Sequence, residues 1–388
     1  MPLTPIYDRP FTGKLNHVES SIFSKMSALA QKHNALNLSQ GFPDFEVDAK
    51  LIELVHYYMR QGFNQYAPMA GALSLRNAIC HFSQDLYGAS YNPETEITIT
   101  AGATQAIATV LSTCIEPEDE VILFSPAYDC YRPMVALNGG IPVSIELEYP
   151  SYGINWQALK DALNQRTKMI IVNTPHNPSG SVLKQEDLDQ LASLLSGTKT
   201  FVLADEVYEH IVFNGAKHLS IRSHAELAAR SFVVGSLGKS LHVTGWKIGY
   251  CLAPEALMKE FHKVHQFQIF ATNHPIQLAI ADYLNAADLR AIGGFYESKQ
   301  QIFEKALEPT GFKALPTFGS YFQLASYSAL SDESEVDFAI RLTKEYGVAA
   351  IPISPFYPVP TNHQVLRFCF AKNEETLRKA GLQLQKVG

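Results

Sequence analysis

Short apolar runs alternate with longer amphipathic stretches through the middle of the chain. The runs are 97–100 (ITIT), 121–124 (VILF), 141–147 (IPVSIEL), 169–172 (MIIV), 201–204 (FVLA), 232–236 (FVVGS) and 248–252 (IGYCL). Helix-like stretches fall between several of them, at 103–115, 127–138, 155–164, 184–195 and 223–230. Short β-rich runs that read as continuously apolar predict strands buried on both faces. Their alternation with helices predicts an α/β domain around a mostly parallel sheet, spanning 45–275. The flanks follow another pattern. One helix is expected over 19–35, leading into a turn at 37–43, and one or two long helices over 275–310. Short strands return at Tyr321–Leu324, Val348–Ile351 and Val365–Phe370. Residues 1–44 and 276–388 are therefore expected to form a smaller α+β domain with an N-terminal arm.

Composition narrows the class. The 388 residues are 46% hydrophobic and 18% charged, enough apolar material to offset chain entropy and exclude general disorder. The 31 basic and 38 acidic residues leave a net charge of −7, which argues against a nucleic-acid partner. The five cysteines are widely spaced with no C-x-x-C pair, so neither a disulfide framework nor a metal cluster is expected. The first residues, MPLTPIYDRPFTGKL, carry no leader pattern, and no apolar run is long enough to cross a membrane. The expected compartment is the cytoplasm.

Four segments at the ends of predicted strands hold the candidate chemistry, because open α/β sheets bind ligands at the carboxyl ends of their strands. In S-L-G-K-S (236–240), Lys239 follows an apolar strand, where burial can make an amine nucleophilic. A solvated surface lysine is the plainer reading of Lys239 alone. The same string fits S-x-x-K of serine hydrolases, but the required S-D-N and K-T-G are missing; Ser331-Asp332-Glu333 and Lys199-Thr200-Phe201 are the nearest strings. In F-V-L-A-D-E-V-Y (201–208), Asp205 can face a cationic ring nitrogen, with Tyr208 three residues on. Its plainer reading is a helix N-cap. In I-I-V-N-T-P-H-N-P-S-G (170–180), Asn177 is held extended before a proline, as in many ordinary turns. I-T-A-G-A-T-Q-A-I (99–107) places a helix N-terminus after a glycine turn, suited to an anion, and lacks the dinucleotide fingerprint. Finally, Arg367 lies within the apolar run V-L-R-F-C-F; a partly buried Arg calls for a carboxylate, whereas an edge strand would leave it at the surface.

Taken in order, these segments resemble the class I aminotransferases of fold type I, which depend on pyridoxal 5'-phosphate. The resemblance runs over nearly the whole chain. It is carried by N-L-S-Q-G-F-P-D (37–44), N-Q-Y-A-P-M-A-G (64–71), T-A-G-A-T-Q-A (100–106), N-T-P-H-N-P-S-G (173–180), A-D-E-V-Y (204–208), and S-L-G-K-S with G-W-K-I-G-Y (236–250). Q-G-F-P-D-F, N-Q-Y and Y-D-C-Y-R-P (128–133) are most similar to glutamine/kynurenine aminotransferases and a bacterial methionine aminotransferase. The resemblance implies an aminotransferase-like large domain and these roles. Lys239 matches the lysine that attaches the cofactor, and Asp205 the partner of its ring nitrogen. Tyr208 and Asn177 match the groups on the ring hydroxyl, and Tyr128 the ring that stacks on the cofactor. Ala103, Thr104, Ser236 and Lys247 match phosphate ligands; Lys247 stands where the family often has Arg, keeping the charge without the bidentate fork. Tyr66 matches a residue crossing from the other subunit, which implies a homodimer. Arg367 matches the clamp on the substrate carboxylate, aided by Asn177 and Gly41.

The same resemblance implies ping-pong transamination between an amino acid and a 2-oxo acid. Relatives that take dicarboxylates place a second Arg near the substrate side chain, and Q-F-Q-I-F-A-T-N-H-P (266–275) has none. Phe23, Phe42 and Phe270 are expected to line an apolar pocket instead, favouring methionine, aromatic amino acids and glutamine. Two alternatives stay open: a cysteine S-conjugate β-lyase using the same lysine, and a non-catalytic ligand-binding regulator. The first core segment starts near residue 37, which leaves little room for the DNA-binding domain of such a regulator.

Overall fold

The computed structural model describes residues 13–16, 18 and 20–387. Residues 1–12, on which the leader reading rests, and residue 19, the first of the expected N-terminal helix, lie outside them. All seven apolar runs become strands of one sheet. Its order is 97–100, 249–252, 231–236, 201–205, 167–173, 120–125, 141–146. Gly249–Leu252 runs antiparallel to both neighbours, and every other pairing is parallel. Strands Glu120–Ser125, Ser231–Ser236 and Gly249–Leu252 are buried along their whole length, as continuous apolar runs require. Ile141–Glu146 forms an edge and is largely accessible.

The terminal segments build the smaller part. Ile351–Pro352, Val365–Cys369, Phe322–Ser326 and Lys313–Ala314 form an antiparallel sheet, and Leu36–Asn37 pairs in parallel with Val348–Ala349. The N-terminal helix is Ile22–Lys32, opened by Ser21, whose hydroxyl accepts from the Phe23 N–H. The 275–310 stretch divides into His274–Leu284, which packs on helices Ala49–Arg60 and Leu73–Tyr87 of the large part, and Ala291–Leu307. Among the described residues no helix is long and apolar enough to cross a membrane. All five cysteines are free thiols.

Two expected helices are shorter than their patterns. The 127–138 stretch is helical only over Tyr131–Leu137, because Ala127 donates its N–H to the Phe356 carbonyl and Tyr128–Cys130 stay in the loop. The 223–230 stretch reduces to Ala225–Ala228 after a 3₁₀ turn at Ile221–Ser223. Helices Ala49–Arg60, Leu73–Tyr87 and Glu255–Gln268 were not visible in the strand–helix alternation.

Candidate active site

The parallel strands end together, and their carboxyl ends open on a cavity of about 390 Å³. Each contributing segment is pinned locally. Strand 167–173 ends at Asn173, whose side chain accepts the Asn177 N–H at 2.8 Å and donates to the Asp205 carbonyl at 2.9 Å. Strand 201–205 ends at Asp205, which is 3% exposed. Its carboxylate accepts from the Tyr131 hydroxyl at 2.5 Å and the Val207 N–H at 3.3 Å. Strand 231–236 ends at Ser236, followed by the short helix Leu237–Ser240 that carries Lys239.

The charges here are poorly matched within the chain. Burial raises the Asp205 carboxyl to about 6, even though Tyr131, Val207 and Lys239 pull it back. Lys239 lines the cavity, and burial lowers its amine to about 8, with the Lys247 and Arg367 charges adding to the effect. Its ammonium donates to the Tyr321 hydroxyl at 2.9 Å, and that hydroxyl donates to the Gly41 carbonyl at 2.5 Å. Arg367 is 1% exposed yet forms no ion pair among the described residues. Its guanidinium donates to Asn177 Oδ1 at 2.8 Å and the Ser39 carbonyl at 3.0 Å, lies 3.8 Å over the Phe322 ring, and leaves Nε unpartnered. Burial lowers its pKa. A buried guanidinium with an unmet donor needs an anion.

At the other end, helix Ala103–Cys114 begins at the cavity wall. Its first N–H groups have no acceptor within the helix. Gly102 has φ +76°, a conformation that glycine adopts without strain, and the Lys247 ammonium lies 3.0 Å from where a Cβ would stand, beside the helix start. Thr104, Ser236 and Lys247 complete a polar end.

Of the residues expected from the sequence, Lys239, Asp205, Tyr208, Asn177, Tyr128, Ala103, Thr104, Ser236, Lys247, Gly41, Arg367 and Phe23 all line this cavity. Tyr66 does not. It is 81% exposed, with its ring edge-on to Phe270 at 5.3 Å. Phe42 and Phe270 are also outside the lining; Phe42 covers the Lys372 ammonium at 4.5 Å, and Phe270 is exposed. The expected three-phenylalanine pocket thus keeps only Phe23 within one chain. Sequence reasoning assigned nothing to Tyr131, Asn173, Tyr321, Ser21, Gln40 or Asp129. Tyr131 and Asn173 lie inside motifs already noted, three residues after Tyr128 and four before Asn177. Tyr321 and Ser21 carry no local signal.

Residues 33–381 match the family of class I and II aminotransferases. The methionine aminotransferase of Escherichia coli K12 is 45% identical over 96% of this chain and 97% of its own length. Human kynurenine–oxoglutarate transaminase 3 is 33% identical over 95% of this chain and 88% of its own. A crystal structure of an E. coli protein identified as a methionine aminotransferase superposes with a TM-score of 0.95, at 44% identity, covering 99% of this chain and all of that one. The chain belongs to the class I and II aminotransferases. It is an enzyme that acts on amino acids and 2-oxo acids, and the non-catalytic reading falls away.

Dependence on pyridoxal 5'-phosphate defines that family. The residues present fit such a group. The glycine cradle, helix start and Lys247 suit a phosphate; Asp205, buried and short of a cation, suits a protonated ring nitrogen; and Lys239 offers an amine of lowered basicity.

Proposed function

We propose that this enzyme holds pyridoxal 5'-phosphate on Lys239 and transfers the amino group of methionine or an aromatic amino acid to a 2-oxo acid, by a ping-pong mechanism. Glutamine is a further donor in this reading. One observation carries it: a single cavity gathers a lysine, an aspartate and an arginine whose charges find no full match among the described residues. The methionine and kynurenine names of two relatives support the choice of donor.

When bound, the cofactor supplies an electron sink for the negative charge that develops at the substrate Cα. The chain supplies the rest. Ala103, Thr104, Ser236 and Lys247 hold the phosphate. Asp205, itself held by Tyr131, keeps the ring nitrogen protonated. Tyr208 and Asn177 bind the ring hydroxyl, and Tyr128 covers the ring face. Arg367, with Asn177 and the backbone of Gly41, binds the substrate α-carboxylate. Its position over Phe322 and against Asn177 fixes the guanidinium plane before substrate arrives, which lowers the ordering cost of binding. Lys239 Nζ would take the proton from the Cα of the donor amino acid in the first half-reaction and deliver one to the Cα of the new amino acid in the second. An amine titrating near 8 suits that task at neutral pH. Tyr321, bridging Lys239 and Gly41, keeps the amine aimed at the cavity between steps.

We assign the working unit as a homodimer in which Tyr66 enters the partner subunit's cavity. The support is its 81% exposure within a surface cluster that includes Phe270, with Phe267 86% exposed nearby in sequence. Five free thiols support a cytoplasmic site of action. The division into 45–275 and the two terminal segments remains the working description of the domains.

The test is an absorbance spectrum of the purified protein before and after methionine. A visible or near-ultraviolet band that shifts with methionine and is lost in Lys239→Ala supports cofactor, nucleophile and donor together. A protein left colourless by pyridoxal phosphate overturns the reading, and a coloured protein silent to methionine overturns only the donor. Pyruvate release from a cysteine S-conjugate without any 2-oxo acid acceptor would assign the β-lyase instead.

A further inference from the structure

One charged side chain of the cavity wall has no part in holding the cofactor or the substrate α-carboxylate. Asp129 follows Tyr128 directly and is, with Asp205, one of two carboxylates in the lining. Ser21, Phe23 and Gln40 line the same cavity, and Asp129 and Ser21 also border the neighbouring groove that Lys25 and Arg132 line. The Asp129 Oδ2 accepts the Ser21 hydroxyl at 2.8 Å, a contact that spans 108 residues of chain. Asp129 forms no ion pair among the described residues. Arg132, three residues on, turns away and donates to the Ser144 hydroxyl. The Arg367 charge acts on Asp129, and Arg367 is the proposed seat of the substrate α-carboxylate.

We infer that Asp129 is a specificity-determining residue that turns away amino acids carrying a second carboxylate. This rests on the proposed placement of the substrate α-carboxylate at Arg367. With that carboxylate seated, the side chain of aspartate or glutamate would bring a second anion toward Asp129. Arg367 is then already neutralised, and the other two cations of the lining, Lys239 and Lys247, serve the cofactor in that proposal. Like charges brought together in a closed, half-buried space repel strongly. A thioether or an aromatic ring meets no such penalty, and Phe23 offers it an apolar surface. A carboxamide can even donate to Asp129, since an ionised carboxylate only accepts. Selectivity thus comes from a repulsive element as well as from the missing second arginine. Burial raises the Asp129 carboxyl while the Ser21 hydroxyl and Arg367 oppose the shift. Ser21, which also caps the first helix, therefore supports the charged form and fixes its direction.

The test compares kcat/KM for glutamate with that for methionine in the holoenzyme, Asp129→Asn and Ser21→Ala. Asn keeps an acceptor for Ser21 but removes the charge. Asp129→Asn should raise the glutamate-to-methionine ratio about 10- to 100-fold, and Ser21→Ala should shift it by less than about threefold. Binding of succinate and butyrate, by calorimetry on the same proteins, gives a readout independent of turnover. The succinate-to-butyrate affinity ratio should rise about tenfold in Asp129→Asn. An unchanged ratio in both assays, with Asp129→Asn still turning over methionine, overturns the inference. So does an equal loss on every substrate in both variants, which would make the pair a latch between the first helix and the Tyr128 loop. If the unmodified enzyme reacts with neither amino acid, the proposed function fails rather than this inference alone.

Discussion

Asp205 and Glu206 are neighbours in sequence and both are buried, yet their acidities move in opposite directions. Burial raises Asp205 to about 6. Burial pushes Glu206 up as well, but His218 and Arg222, with hydrogen bonds from His218 and Ser220, hold it at about 2. The contrast extends to the two arginines. Arg222 sits 3.1 Å from Glu206 and 3.0 Å from Glu209, and those carboxylates lift its pKa despite burial. Glu206 also accepts the Ser220 hydroxyl and the Ile221 N–H, and Tyr250 donates to Glu209. Among the described residues, Arg367 meets only an amide oxygen, a carbonyl and aromatic faces. One cluster is closed within the chain and holds the fold behind the strand end. The other, on the cavity side, is left open for something the chain does not contain. Unmet buried charge, more than burial or charge alone, separates the working site from the scaffold.

Substitutions should divide along the same line. The largest effect is expected from Lys239→Ala, with kcat falling by at least about 10⁴-fold, the upper range for a positioned acid–base group. Rapid-mixing absorbance with methionine measures it, and a rate within tenfold of the parent would remove Lys239 from the chemistry. Next, Arg222→Met strands two buried carboxylates and should lower stability by about 3–5 kcal/mol. Urea unfolding reads this directly; a loss under 1 kcal/mol would mean that the network is not a scaffold. Arg367→Met should reverse the pattern. It removes a buried cation that has no carboxylate partner, so stability should move by less than about 1 kcal/mol. Its kcat/KM for methionine should fall by about 10²- to 10³-fold, the range for losing one partner of a buried charge pair. If both arginines cost stability alike, the distinction between closed and open clusters collapses.

How much of this was legible in sequence depends on where the information lies. Six of the seven strands were readable as apolar runs buried over most of their length, and the edge strand Ile141–Glu146 by its apolar residues alone. Helix Ala49–Arg60 was not, because only Leu51 is buried, while Ile52, Tyr57 and Met59 face outward. Its apolar pattern reports a surface other than the core. In the site, Asp205 and Arg367 were found at the end of or within a readable strand, and Asn177 and Lys239 in the turn or short helix that follows one. Tyr321 and Asp129 escaped because their partners come from far along the chain. The Tyr321 hydroxyl joins Lys239 to Gly41, and Asp129 meets Ser21, through contacts that only the folded chain creates.

The finest discrimination between the two clusters lies in acid. A buried carboxyl raised from 3.8 to about 6 favours the fold when protonated, so its stabilisation is full below 3.8 and is lost as pH rises through about 6. Glu206 does the reverse: its contribution is full above 4.5 and is lost as pH falls through about 2. Each shift of about two units corresponds to about 3 kcal/mol. In cofactor-free protein, Asp205→Asn should therefore flatten the decline in stability between 3.8 and about 6, and Glu206→Gln should flatten the loss at the acid end. Urea unfolding across both intervals, read as the difference from the parent, isolates these two groups from the other carboxyls. Loading pyridoxal phosphate should abolish the Asp205 difference, since a cation beside the carboxylate returns it toward its ordinary range. Parallel curves for parent and Asp205→Asn in the cofactor-free protein would mean that Asp205 already finds its counter-charge within the chain, most directly in Lys239. The lysine and the aspartate would then be a closed pair like Arg222 and Glu209, and the open site would reduce to Arg367 and the phosphate end.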